Sequence, residues 1–96
     1  MASVLLVFNA GMSTVILARK MEAMRPDSLK VSACPSGDYA ARAADADILM
    51  IGPQIRFRAD EIRCNVTIPV MVIETRKYGM MDAKGILEDM DKLLKG

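Results

Sequence analysis

The sequence predicts an α/β fold, a small doubly wound parallel sheet with helices on both faces. Three observations carry that prediction. Four apolar runs rich in Val, Ile and Leu, residues 3–8, 29–34, 47–52 and 69–74, have strand length and are bounded by turn residues. Stretches with helical spacing separate them. Strands alternating with helices require crossover connections, and right-handed crossovers cover a parallel sheet from both sides.

Each element has its own justification. The first run, "SVLLVF", stops at the turn Asn9-Ala10-Gly11. A helix follows in which Leu17, Met21 and Met24 recur at i, i+4 and i+7, with Arg19, Lys20 and Glu22 facing away, and Pro26 ends it. "LKVSAC" begins after Pro26-Asp27 and closes at Cys34-Pro35. "GDYAARAADA" is a short Ala-rich helix, and "DILMIG" is a strand ended by Gly52-Pro53. "QIRFRADEIRC" offers Ile55, Ala59 and Ile62 as an inner face. "PVMVIE" is the fourth strand, and a last helix from Met81 to Lys95 carries Ile86, Leu87, Met90, Leu93 and Leu94. Gly85 lowers the helix preference of that segment by about 1 kcal/mol relative to Ala.

With four strands the expected order is 2-1-3-4, a flavodoxin-like or P-loop-phosphatase-like arrangement in one domain spanning residues 1–96. Ligands in such sheets bind beyond the carboxyl ends of the strands, where the strand order reverses. That point falls between strands one and three, at the loops Asn9–Thr14 and Gly52-Pro53-Gln54.

Composition narrows the function. Of 96 residues, 52 % are hydrophobic, yet no apolar run approaches the length of a membrane span. No basic flank precedes the first run, which argues against a secretory signal. The net charge of +1, spread along the chain, argues against nucleic acid as a partner. The two cysteines, Cys34 and Cys64, lack metal-ligand spacing and read as free thiols, with Cys64 partly buried. The absence of histidine removes imidazole acid–base chemistry, phosphohistidine on this chain and most zinc sites. Neither a metal nor a cofactor is expected.

The first loop is the candidate site. Gly11 permits close approach of the backbone to a ligand, and Ser13 and Thr14 suit a helix start. Amides at a helix N-terminus, with the helix dipole behind them, hold phosphate-like anions. An ordinary capped strand-to-helix turn has the same local pattern. "NAGMST" is neither a P-loop, lacking Gly-Lys-Ser/Thr, nor a dinucleotide fingerprint. Met12 suits an apolar rim, Gln54 either a donor toward the site or a turn residue, and Asp38 and Tyr39 lie near the same edge. Arg56, Arg58 and Arg63 form either a solvated face or a docking surface.

The chain resembles the enzyme IIB component of the lactose/cellobiose class of the bacterial sugar phosphotransferase system. "AGMST" (10–14) matches the end of the cellobiose-type first loop, Cys-Ser-Ala-Gly-Met-Ser-Thr. "ADILMIGPQI" (46–55) is similar to the third strand and its Gly-Pro-Gln loop, and "PVMVIETRKYGMMDAKGIL" to the fourth strand, a Tyr78-Gly79 turn and the last helix. The resemblance implies a phosphoryl relay. A phosphohistidine on enzyme IIA donates to a cysteine at the end of strand one, and that phosphocysteine donates to a disaccharide of the cellobiose, chitobiose or lactose class held by the membrane enzyme IIC. It implies a cytoplasmic location, peripheral to the membrane through enzyme IIC. It also implies a phosphate-binding role for Asn9, Ala10, Gly11, Met12, Ser13 and Thr14, with Gly52, Pro53 and Gln54 as a second loop.

One position departs from the family. The nucleophile's place falls on Phe8, which has no nucleophilic atom, so a phosphocysteine cannot form at residue 8. Three readings stand open: catalysis is lost and a phosphate-binding or regulatory domain remains; Phe8 stands where the natural chain has Cys; or Cys34, at the end of the neighbouring strand, is a relocated thiol close to Phe8. The relocated thiol has a plainer counterpart, a volume-conserving exchange within the core.

Overall fold

The computed structural model describes residues 2–8, 12–35 and 37–95, with Met12 and Ser13 described by their backbone. Four strands, β1 (Ala2–Phe8), β2 (Leu29–Pro35), β3 (Ile48–Ile51) and β4 (Val70–Val72), form one sheet in the order β2-β1-β3-β4. Every pairing is parallel: Val4 lies beside Val31 and Ile48, and Met50 beside Met71. Between and after the strands run α1 (Met12–Met24), α2 (Tyr39–Ala43), a 3-10 segment Pro53–Arg58 continuing into α3 (Ala59–Asn65), α4 (Thr75–Gly79) and α5 (Ala83–Lys95).

Alternation along β1 sorts the core into two layers. Val4 and Leu6 face Leu17 and Met21 of α1 and Ile86, Leu87 and Met90 of α5. Leu5 and Val7 face Tyr39 and Ala43 of α2, Ile55, and Ala59 and Ile62 of α3. The expected inner face Ile55–Ala59–Ile62 is buried throughout, although a kink at Ile55 (φ −119°, ψ 25°) divides the segment into 3-10 and α parts. Three expected core residues are exposed instead: Met24, Leu93 and Leu94. Leu93 and Leu94 lie in the last turn of α5, beyond Met90, and Met24 is the last residue of α1, beyond Met21, so all three follow the last residue of their helix in the buried cluster.

The expected turn at Tyr78-Gly79 is also corrected. α4 runs through Gly79, and the chain reverses at Met80-Met81, where Met81 takes a positive φ of 54°. Partial burial of the Met81 side chain against the α1/α5 layer accompanies that backbone conformation. α5 then starts on Asp82, whose Oδ1 accepts the N–H of Gly85 at 3.0 Å. Lys77 Nζ reaches Asp89 at 2.6 Å and ties α4 to α5, and Arg25 makes a two-pronged pair with Asp91 at 2.9 and 2.6 Å that ties the end of α1 to α5.

Candidate functional site

The strand order reverses between β1 and β3, so the candidate site falls at the carboxyl edge around Phe8 and Gly52. Phe8 is half-buried and pairs in register with Pro35. Alternation places its ring on the α1 side, with Val4 and Leu6. α1 begins at Met12, four residues past Phe8, and points the positive end of its dipole toward that edge. The N–H groups of a first helical turn have no intrahelical acceptor and are available to an anion. Asn9, Ala10 and Gly11, and the side chains of Met12 and Ser13, lie outside the described residues.

Thr14, in the first turn of α1, is 1 % exposed. Its Oγ1 lies 2.7 Å from the Tyr78 hydroxyl, in a buried hydrogen bond between residues 64 apart in sequence. Sequence reasoning expected Thr14 to suit a helix start and missed this partner, because spacing along the chain carries no signal for a contact made by closing the sheet.

Gly52, Pro53 and Gln54 follow β3 at the carboxyl edge. Gly52 is buried and precedes the 3-10 segment, and its N–H donates to the Val7 carbonyl at 3.2 Å. A Cβ on Gly52 would come within 2.9 Å of Gln54 Oε1, the end of an exposed side chain that can move aside, and 4.0 Å from Tyr78 Cε2, an ordinary contact. The side chain of Gln54 folds back over Gly52, while Pro53 is half-buried. Beyond them lies an open cleft of about 620 Å³ lined by Gln54, Arg56, Phe57, Thr75 and Tyr78. Phe57 is 79 % exposed and nearby Met80 70 %, an apolar exposure that the reading of this stretch as a basic face did not anticipate. Val15 and Ile16, just past the first loop on α1, are exposed as well.

Cys34 is fully buried, but it does not neighbour the Phe8 side chain as expected. The register sets it beside Val7, and it packs with Leu5, Tyr39 and Ile51 in the layer on the opposite face of the sheet. The difference follows from the pleat, since residues one position apart on adjacent parallel strands point to opposite sides. Burial pushes the thiol pKa up, Arg42 opposes this, and Asp38 adds to it. The protonated, poorly nucleophilic form therefore dominates at neutral pH.

The remaining candidates separate. Tyr39 is buried in the same layer and accepts a 2.8 Å hydrogen bond from Asn65, tying α2 to α3 rather than facing the carboxyl edge. Asp38 precedes α2 without a side-chain capping bond. Arg58 and Arg63 are engaged within their own helical stretch by Glu61 at 2.8 Å and Asp60 at 3.3 Å, which leaves Arg56 as the basic residue of the three on the cleft. Both cysteines are free thiols, and Cys64 is exposed rather than partly buried. Among the described residues, no cluster of His, Cys, Asp and Glu has the make-up of a metal site, and no helix is long and apolar enough to cross a membrane.

Comparison with known proteins gives a consistent result. The family model described as PTS system, Lactose/Cellobiose specific IIB subunit matches residues 3–89. The chain is 31 % identical to the PTS system cellobiose-specific EIIB component of Lactococcus lactis subsp. lactis (strain IL1403), over 88 % of this chain and 89 % of that one. It is 30 % identical to the PTS system oligo-beta-mannoside-specific EIIB component of Bacillus subtilis (strain 168), over 98 % and 97 %. Among solved structures, the cellobiose-specific phosphotransferase IIB component of Borrelia burgdorferi superposes with a TM-score of 0.71 at 25 % identity, covering 91 % of this chain and 85 % of that one. The lactose-specific IIB domain of Streptococcus pneumoniae shares the fold, with a TM-score of 0.75 at 14 % identity over 98 % of this chain and 95 % of that chain.

Proposed function

Since the chain belongs to the lactose/cellobiose-specific IIB family of the phosphotransferase system, we propose that it works as a IIB subunit between a phosphohistidine-bearing enzyme IIA and a membrane enzyme IIC that holds a β-linked disaccharide. The observation that carries this reading is the start of α1 at the point where the strand order reverses, directly beyond Phe8. A phosphate-like group brought there meets first-turn amides and the positive end of a helix dipole, which offset the charge on its oxygens. The exposed apolar pair Phe57 and Met80, with Arg56 on the adjoining cleft, supplies an apolar and cationic rim for docking enzyme IIA. Association with the membrane then comes through enzyme IIC.

A second reading concerns the covalent step. Phe8 offers no atom to accept phosphorus, and Cys34 is buried on the far side of the sheet with its thiol protonated. That placement favours a IIB domain that binds phosphate and its partners without carrying a phosphoryl group. Titration with inorganic phosphate and with phosphorylated enzyme IIA, followed by amide NMR and intact mass, tests both readings. The proposed site requires shifts at residues 9–14. A mass increase of one phosphoryl group supports the carrier, and its absence supports the binding domain. No shift at residues 9–14 with either reagent rejects the site.

A further inference from the structure

Tyr78 joins the first turn of α1 to the residues around Gly52 at the carboxyl edge. It lies on α4, in the segment after β4, and its hydroxyl bonds Thr14 Oγ1 at 2.7 Å in the first turn of α1. Its ring lies 4.0 Å from where a Cβ on Gly52 would sit, and it lines the cleft beside Gln54 and Phe57. α4 is itself held by Lys77, which reaches Asp89 of α5 at 2.6 Å, so Tyr78 is mounted on a fixed element. Thr14 is 1 % exposed and Tyr78 9 %, so water does not readily replace either partner in the bond.

We propose that Tyr78 is a positioning residue, which acts through Thr14 to hold the first turn of α1 in the orientation that presents its amides to an anion at the end of β1. The proposal rests on the phosphate-site reading above and adds to it a residue remote from the loop. A first turn is the weakest part of a helix, because its amides lack intrahelical partners. A buried side-chain bond to a different element resists fraying there. An amide displaced by a fraction of an ångström loses much of its hold on an anion, since hydrogen bonds weaken steeply with poor alignment. Tyr78 also faces the cleft, so the mouth of the docking rim and the anion site share one side chain.

The test uses Tyr78→Phe, Thr14→Val and Thr14→Ser, each in the full chain and in a Phe8→Cys background. The first readout is amide hydrogen exchange without ligand. Tyr78→Phe and Thr14→Val should speed exchange at Ile16 and Leu17, whose N–H groups close the first turn, by about 10-fold, and leave Leu49 and Met50 on β3 unchanged. Thr14→Ser keeps the hydroxyl and should restore the slow rate. The second readout is the alkylation rate of the introduced thiol at pH 7, with Cys64→Ser removing the exposed background thiol. Tyr78→Phe should slow it about 3-fold as the helix terminus swings away. Unchanged exchange at Ile16 and Leu17, or an equal rise on β3, overturns the positioning role. An introduced thiol with ordinary reactivity in the parent background overturns the anion site instead, and the exchange data still decide the role of Tyr78.

Discussion

Gly85 invites replacement by alanine, and the structure predicts that the replacement fails. It is a buried residue in the first turn of α5, and a helical Gly→Ala change ordinarily adds about 0.8–1 kcal/mol. Here the N–H of Gly85 is capped by Asp82 Oδ1 at 3.0 Å, and a Cβ at position 85 would collide with that carboxylate. To admit the methyl group the carboxylate must swing out, which forfeits a cap worth about 1 kcal/mol, within a range of about 0.5–2. The two effects cancel, so Gly85→Ala should change stability by less than about 0.5 kcal/mol. Asp82→Ala alone should cost about 1 kcal/mol. In that background the methyl group meets no carboxylate, and Gly85→Ala should recover about 1 kcal/mol. Urea unfolding of the four chains gives the coupling directly, expected at about 1 kcal/mol, or about 4–8 °C in melting temperature for a chain of this size. Additive effects, with Gly85→Ala stabilising the parent chain by a full 1 kcal/mol, would refute the cap argument.

Arg25, by its hydrogen bonds, holds the Asp91 carboxyl below the usual carboxylate range, against the opposing effect of partial burial, so the pair stabilises the fold above about pH 4 and the gain is lost as pH falls through the lowered pKa. Asp91→Asn should therefore cost at most about 1 kcal/mol at pH 6, the pair being partly exposed, and the gap between the two chains should narrow in acid unfolding as pH falls below the usual carboxylate range. With a thiol reagent at pH 7 the native chain should react quickly at one site, Cys64, while Cys34 reacts only after unfolding, and mass mapping of fast modification at Cys34 would contradict its placement in the core. Arg56→Glu should weaken enzyme IIA binding several-fold at low salt and less at 0.5 M salt, whereas Arg58→Glu, at an arginine already paired with Glu61, should have the smaller effect; calorimetric titration of the two variants separates them.

The sheet was legible in the sequence because its signal is local. Runs such as Val4–Val7 and Ile48–Ile51 are apolar on both faces, as only a strand covered on two sides can be, and the alternation with helices left few topologies. The place of the candidate site, at the strand-order reversal, is read from that order. What stayed hidden was of two kinds. α4, "TRKYG", is five residues long with no apolar period, too short for periodicity to register. Contacts such as Thr14 with Tyr78, or the assignment of Cys34 and Phe8 to opposite faces, depend on a one-residue register that composition does not encode. The exposed Phe57 was overlooked because its neighbours Arg56 and Arg58 drew the reading toward charge.

The most direct measurement is phosphoryl transfer from radiolabelled phosphorylated enzyme IIA to the parent chain and to Phe8→Cys. The account predicts an unlabelled parent and a labelled variant whose label is acid-stable and released by iodine, with Thr14→Val lowering its yield. Label on Cys34 in the parent chain, or a Phe8→Cys variant that takes up none, would contradict it.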